Sequence, residues 1–388
     1  MRIALVAGHL APRPAGTDSY PGDPDAQVLA LATALAGHGQ QVTVYAHGDI
    51  AAAGRTAPGV TVEPVPGPPP GGVSEGELLA HIGDVAGHLA GRWHRSAPDV
   101  IHAHFWTSGM AALAAVRGLG VPVAATFHSL AATPGTRSRI ESAVARSVAA
   151  VLADTSDERR DLGRLGLPRA SVRVVPPGLD TARFTPAGPA AERGQRARLL
   201  TVWAPGEGRA VATAVRALAE VPGAELVIAG GPVQAAALDE DPEFRAITHL
   251  ARQLRVADRL ICAGELSRDG IPPLMRSADV LVQITQNRPC AMVPAEAMAC
   301  GTPVVASAAA GAHRDAVIPG HTGFLVPPGD HAVLSRRIRQ LLGSRVLFEG
   351  YGIAAANRAR SRYAWERIAE ETLAGYEALA RPRVAAAA

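Results

Sequence analysis

The stretch that decides the fold is Arg288 to Gly311, RPCAMVPAEAMACGTPVVASAAAG. Pro294 suits the first turn of a helix, where its missing N–H would have had no partner. Gly301 suits the helix stop, and Pro303 forbids continuation. Val304 to Ala306 then reads as a short buried strand. A tight loop thus leads into a two-turn helix, a glycine stop and a strand. The amides of Cys290, Ala291, Met292 and Val293 and the positive end of the helix would face outward, where an anion such as a diphosphate can sit. Glu296 falls in the first helical turn. Local pattern leaves it two readings, a carboxylate that complements the helix dipole or one that grips a ligand.

Outward from this stretch, short aliphatic runs alternate with helical patterns. Strands are expected at 2–7, 42–46, 98–104, 121–128, 148–155, in the run 172–186, and at 197–202, 226–229, 259–266 and 279–285. Helical patterns fall at 26–37, 78–93, 107–117, within 133–146, at 157–165 behind a Ser156 cap, up to 218, and at 271–277, 333–342 and 365–380. Pro- and Gly-rich segments at 8–25 and 64–76 read as loops. The alternation predicts an α/β protein of two doubly wound parallel-sheet domains facing across a cleft. Expected boundaries are 1–185, a linker at 186–197, 198–362, and a terminal helix and tail at 363–388.

Composition narrows the classes. The 388 residues suffice for two domains, and 48% hydrophobic with 19% charged residues describes a well-packed chain. No apolar run reaches the ~20 residues that span a bilayer, so no integral membrane segment is expected. MRIALVAGH reads as a first strand rather than a cleavable signal. Cys262, Cys290 and Cys300 make no disulfide framework, and the cytoplasm is the natural compartment. The chain holds no lysine, so its net charge of +3 rests on arginine. Lysine Schiff bases and lysine general bases are excluded. No basic run interleaves with aromatics, so nucleic acid is not an expected partner.

Several polar residues stand at strand ends, where open parallel sheets bind ligands. His102 and His104 share one strand face. A metal would need further converging ligands, so a structural or acceptor-facing role is the expectation and no metal is expected. His128 ends the VPVAATFH run, as either a site residue or a satisfied structural one. Arg137, Arg139 and Arg146 lie on the next helix, as solvated cations or anion-binding ones.

EAMACGTPVVAS, followed by HTGFLVPPGD at 321–330, resembles the nucleotide-sugar site of retaining glycosyltransferases of the GT-B fold. The likeness is strongest to family 4, the group holding sucrose-synthase-like and mycothiol-pathway enzymes. DVIHAHFWTSGMAAL at 99–113, VPVAATFH at 121–128 and VRVVPPGLDTARFTP at 172–186 extend it over nearly the whole chain. The resemblance implies GT-B architecture, two Rossmann-like domains with a C-terminal helix crossing back onto the first. It implies that Glu296 binds the donor ribose and that His128 lies near the donor sugar. Gly22, Arg209, Gly230, Gly264, Leu266 and Cys290 to Val293 would line the donor, and His102, His104, Phe105 and Arg137 the acceptor. By the same resemblance a nucleotide-diphosphate sugar is the expected co-substrate, with no cofactor and no metal expected. The other partner is a small-molecule acceptor, and a homodimer is compatible.

The chain departs from the family pattern at several points. Arg288 stands where relatives carry a leading glutamate, and it joins His128 as a catalytic candidate. Ala204 occupies the position of a phosphate-binding arginine. Asp23 replaces a second loop glycine, and Glu265 a commonly basic residue. The expected function is transfer of a sugar from a UDP- or GDP-sugar with retention, in specialised metabolism, with an unusual donor or a strong nucleophile such as a thiol as acceptor. The alternative is a non-catalytic relative that serves as a binding or partner subunit.

Overall fold

The computed structural model describes residues 1–7, 24–47, 57–67, 75–204, 206–231, 241–264, 266–285 and 292–380. Gly22, Asp23, Glu265, Arg288, Cys290 and Ala291 lie outside them. The chain divides into two compact units, the first running up to Gly178 and resuming at Trp365, the second spanning Leu179–Ala364.

The first unit is built on β1 (Arg2–Ala7), β2 (Gln41–Ala46), β3 (Val60–Pro64), β4 (Val100–His104), β5 (Val123–Thr126), β6 (Ala150–Ala153) and β7 (Val172–Val174). Between them run α1 (Pro24–Gly37), α2 (Glu75–Arg95), α3 (Phe105–Ala115), α4 (Thr136–Ser147) and α5 (Ser156–Arg164). All strand pairs are parallel, in the order β3-β2-β1-β4-β5-β6-β7. The chain leaves β1 to one side and returns to its other side at β4, which is the switch point of a doubly wound sheet. Helices cover both faces, so strands are buried along their length: all five residues of β4 are buried, two histidines among them.

The second unit repeats the plan with β8 (Ala197–Val202), α6 (Gly208–Ala219), β9 (Ala224–Ala229), α7 (Pro242–Gln253), β10 (Leu260–Gly264), α8 (Ile271–Ser277), β11 (Val280–Gln283), α9 (Val293–Ala299), β12 (Val304–Ser307), α10 (Gly311–Ala316), β13 (Gly323–Val326), α11 (His331–Leu342) and α12 (Arg345–Tyr363). Its sheet order is β10-β9-β8-β11-β12-β13, with the switch between β8 and β11. One core lies on each sheet face, around Leu200, Met298 and Ala355 on one side and Val215, Phe244 and Leu334 on the other.

From Met292 onward the opening stretch folds as its prolines and glycine dictate: Pro294 is in the first turn of α9, and Gly301 follows Cys300 with φ +80°. The last helix, α13 (Trp365–Ala380), belongs to the first unit. Its Ile368, Ala369 and Tyr376 share a core with Val28, Leu31 and Leu35 of α1. The Trp365 ring lies over Gly178, where a Cβ would sit 2.3 Å from it.

Some local expectations change. α5 is capped by Thr155, whose hydroxyl accepts from the Glu158 amide, rather than by Ser156, which is already helical. β4 passes directly into α3, without the gap expected between 104 and 107, because Phe105 turns the chain in the left-handed region at φ 70°. β3 and the 19-residue α12 have no counterpart in the sequence reading. α12 buries Gly352, Ala355, Ala356 and Ala359, side chains too small to print an apolar stripe. It also leaves Val346 and Ile353 exposed, which blurs the periodicity further.

Candidate active site

In the first unit the carboxyl ends of β4, β5 and β6 deliver His104, His128 and Asp154 side by side. His104 is the last residue of β4, His128 follows β5 by two residues, and Asp154 follows β6 directly. His104 Nδ1 lies 3.0 Å from His128 Nε2, and His128 Nδ1 lies 3.1 Å from Asp154 Oδ2. A carboxylate only accepts, so His128 donates through Nδ1–H. His128 Nε2 is then an acceptor, and His104 donates to it through Nδ1–H. His104 Nε2 ends the chain as a bare acceptor, buried and with no partner among the described residues. Burial first, then the neighbouring His102 and His128, holds the His104 pKa well below the usual imidazole value.

His102 has a different job. The Thr126 hydroxyl donates to the Leu152 carbonyl at 2.8 Å, so it must accept from His102 Nε2–H at 2.9 Å. Nδ1 then accepts from the Tyr376 hydroxyl at 2.7 Å. Burial lowers its pKa to about 3, with His128 adding to the shift, and the ring is neutral. Its nitrogens bond buried hydroxyls and it is only 2% exposed, against 18% for the His128 side chain, which fits the structural reading of His102 better than the acceptor-facing one. The two histidines do share a face, at 4.2 Å between ring centroids. No group of three or more metal-ligating residues occurs among the described residues.

Phe105 and His128 both have positive φ, 70° and 57°, and their rings touch at 4.8 Å between centroids. Left-handed backbone at a non-glycine residue costs of order 1–3 kcal/mol and persists where surrounding contacts over-determine it. Arg137 is tied to Glu141 Oε1 at 2.7 Å and to the Ser129 carbonyl at 3.2 Å, while Glu141 Oε2 accepts from the Ala131 amide at 2.8 Å. It therefore organises the turn that follows His128. A cavity of about 40 Å³ lies among Gln27, His104, His128, Asp154, Trp365 and Thr372, all of this unit.

In the second unit the corresponding edge is the switch point, where β8 and β11 end. Trp203 and Ala204 turn inward, and the Trp203 ring packs on Phe244 at 5.0 Å, so position 204 presents no cation. Glu207 precedes α6, is buried, and takes the hydroxyl of Thr285 beyond β11. Gln283 clamps β8 by accepting from the Val202 amide at 3.1 Å and donating to its carbonyl at 3.0 Å. Arg209 is exposed in the first turn of α6. Gly230 has φ 97°, and a Cβ there would meet the Trp203 carbonyl oxygen at 2.5 Å. Its amide donates to the Gly264 carbonyl at 2.7 Å, and Gly264 too is left-handed. Leu266 packs half-buried on the core. Met292 is the N-cap of α9, Val293 points into the core, and Glu296 lies in the first turn with 8% exposure.

Asp154, Glu207 and Thr285 escaped the sequence reading. The strand-end rule that picks out His128 also reaches Asp154 and Thr285, one residue and two residues past β6 and β11. Glu207 carries no such signal. Cys300 is an inert thiol, its pKa raised to about 12 chiefly by burial.

Two Rossmann-like parallel-sheet units, the chain returning to the first through its last helix, define the GT-B glycosyltransferases. Residues 24–178 match the family described as Glycosyl transferase 4-like domain, and 209–358 match Glycosyl transferases group 1. The chain belongs to this glycosyltransferase family. It is 30% identical to a D-inositol 3-phosphate glycosyltransferase of Xylanimonas cellulosilytica, covering 99% of this chain and 98% of that one. The protein of the same name from Acidothermus cellulolyticus is 32% identical, covering 99% and 92%. Among solved structures, sucrose-phosphate synthase from Thermosynechococcus elongatus superposes with a TM-score of 0.79 at 24% identity, covering 97% of this chain and 98% of that one. Anabaena Alr3699/HepE in complex with UDP and glucose superposes with a TM-score of 0.73 at 18% identity, covering 97% and 100%. Among the described residues no helix is long and apolar enough to cross a membrane.

Proposed function

We propose that this glycosyltransferase moves a sugar from a UDP- or GDP-sugar to a small-molecule acceptor with retention and without a metal. The observation that carries the reading is Glu296, a nearly buried carboxylate in the first turn of α9, on the edge where a doubly wound sheet takes its ligand. A carboxylate there can accept from both vicinal ribose hydroxyls. Arg209, exposed in the first turn of α6, would meet the diphosphate as a guanidinium fork. With alanine at 204, the leaving diphosphate has one fixed cation fewer than the family pattern supplies. Arg288 is the residue proposed to make up that charge.

In a retaining transfer of this kind the leaving diphosphate takes the acceptor's proton, so the protein contributes orientation and electrostatics rather than a base. His128 serves as the sugar-side residue of the first unit. The relatives' name favours a polyol acceptor. Weaker leaving-group stabilisation also suits a stronger nucleophile, a thiol, in specialised metabolism.

Calorimetry with UDP, GDP and their sugars tests this directly. Glu296→Ala should weaken binding of the preferred nucleotide roughly 10- to 100-fold, the worth of one charge-assisted pair. Chelator in the transfer assay should leave the rate unchanged. A wild-type protein that binds neither nucleotide would sink the reading.

A further inference from the structure

The chain Asp154–His128–His104 contains one group, Asp154, that the transfer reading leaves without a role. We propose that Asp154 is a positioning residue: it fixes His128 as the Nδ1–H tautomer in its left-handed backbone conformation and thereby orders His104 behind it. The consequence for transfer rests on His128 standing at the donor sugar.

Four observations lead here. Asp154 Oδ2 lies 3.1 Å from His128 Nδ1, and both side chains are mostly withdrawn from solvent, at 15% and 18% exposure. Asp154 is itself immobilised, since its amide donates to Glu158 Oε2 at 2.9 Å and Glu158 is fully buried in the first turn of α5. His128 holds φ 57°, a conformation that returns to the ordinary regions unless the ring is anchored. Its anchors are Asp154 on one nitrogen and His104 on the other, at interplanar angle 14° to His104.

For a neutral His128 ring the tautomer follows from donor counting. The carboxylate takes Nδ1–H, which leaves Nε2 as a lone pair, which in turn makes His104 the Nδ1–H donor. A neutral group in place of Asp154 no longer enforces that order. A side-chain amide can turn its own N–H toward Nδ1, move the imidazole proton to Nε2 and set it against the His104 N–H. The two N–H groups then repel, and the His128 ring loses one anchor.

The test uses the intact protein labelled with 15N-histidine. Long-range proton–nitrogen spectra should show wild-type His128 and His104 protonated at Nδ1 and bare at Nε2. Asp154→Asn should raise the Nε2–H form of His128 and lower kcat by roughly tenfold to a hundredfold, taking over the range for carboxylates that orient metal-ligating histidines. The KM for the donor and the affinity for UDP or GDP should stay within about twofold, because the nucleotide contacts lie elsewhere. Asp154→Glu, which keeps the carboxylate, should restore the wild-type tautomer and part of the rate. A folded Asp154→Asn protein with unchanged tautomer, or a wild-type His128 protonated at Nε2, overturns the proposal. A changed tautomer with unchanged kcat overturns its link to transfer. Wild-type protein that binds no nucleotide sinks the transferase reading instead, and the tautomer result then stands by itself.

Discussion

Buried neutral histidines give the molecule an acid limit. His102 in the first unit has its pKa lowered to about 3, by burial and by His128. His313 in the second unit is lowered to about 4, first by burial, and its fully buried ring shows no hydrogen bond of ordinary geometry among the described residues. The folded state therefore binds fewer protons than the unfolded chain once pH drops below about 6.5. Stability is complete above that value and is lost as pH falls toward the folded values. Between pH 6.5 and 5 each group should cost about 2 kcal/mol, read from denaturation midpoints at several pH values. His313→Leu should flatten the slope for the second unit and leave that of the first. Sequence could not announce this, because a histidine's spacing says which face it occupies and not whether water reaches it. For the same reason His102 and His104 look alike in the chain, yet one is fully hydrogen-bonded and the other ends in a bare nitrogen. Where only a residue's place is asked, as for His128 just beyond the end of β5, the sequence was enough.

At the scale of elements, the stretch around Pro294 was legible because proline and glycine act on their own backbone. α12 was not, since between Tyr351 and Tyr363 it buries only glycine and alanine, which print no apolar stripe. Gly352 of α12 faces the Gly301 carbonyl oxygen so closely that a Cβ would sit 2.5 Å from it. Gly352→Ala must push α12 away from α9, at a cost of about 1–3 kcal/mol for an overpacked contact. Because α9 carries Glu296, the same change should weaken nucleotide binding in calorimetry. Gly350, two residues earlier, is exposed, and a Cβ there meets nothing within 4 Å. Gly350→Ala should stabilise the helix by roughly 0.5–1 kcal/mol and leave binding alone. If both substitutions behave alike, the close approach is not what holds α9 in place. The capping correction has the same character. By residue type Ser156 is at least as good a cap as Thr155, and only the backbone decides which one stands outside the helix. Thr155→Ala should cost about 1 kcal/mol in a denaturation curve.

At the scale of the molecule, the two units use one sheet plan, and each gathers polar residues at the carboxyl ends of its strands. That much follows from alternating strands and helices and was readable in advance. The reach of the last helix into the first unit came from family likeness rather than from any local signal. The reason is visible at Tyr376, whose partner His102 lies 274 residues away in sequence. Its ring is fully buried, and burial drives its hydroxyl pKa far up, so it acts only as a neutral donor. Tyr376→Phe keeps the ring and removes that donor, leaving His102 Nδ1 buried without its bond. Thr126 cannot take over, because it holds the other nitrogen and gives its own proton to Leu152. The expected cost is about 1–3 kcal/mol, the desolvation penalty of one orphaned polar atom. It should appear in hydrogen–deuterium exchange as faster exchange in β4, β5 and α13, with peptides from Leu179–Ala364 unchanged. Equal loosening of both units would mean that the last helix does not belong to the first unit alone. No change in either would mean that the histidine's hydrogen bond to the helix contributes nothing to holding it.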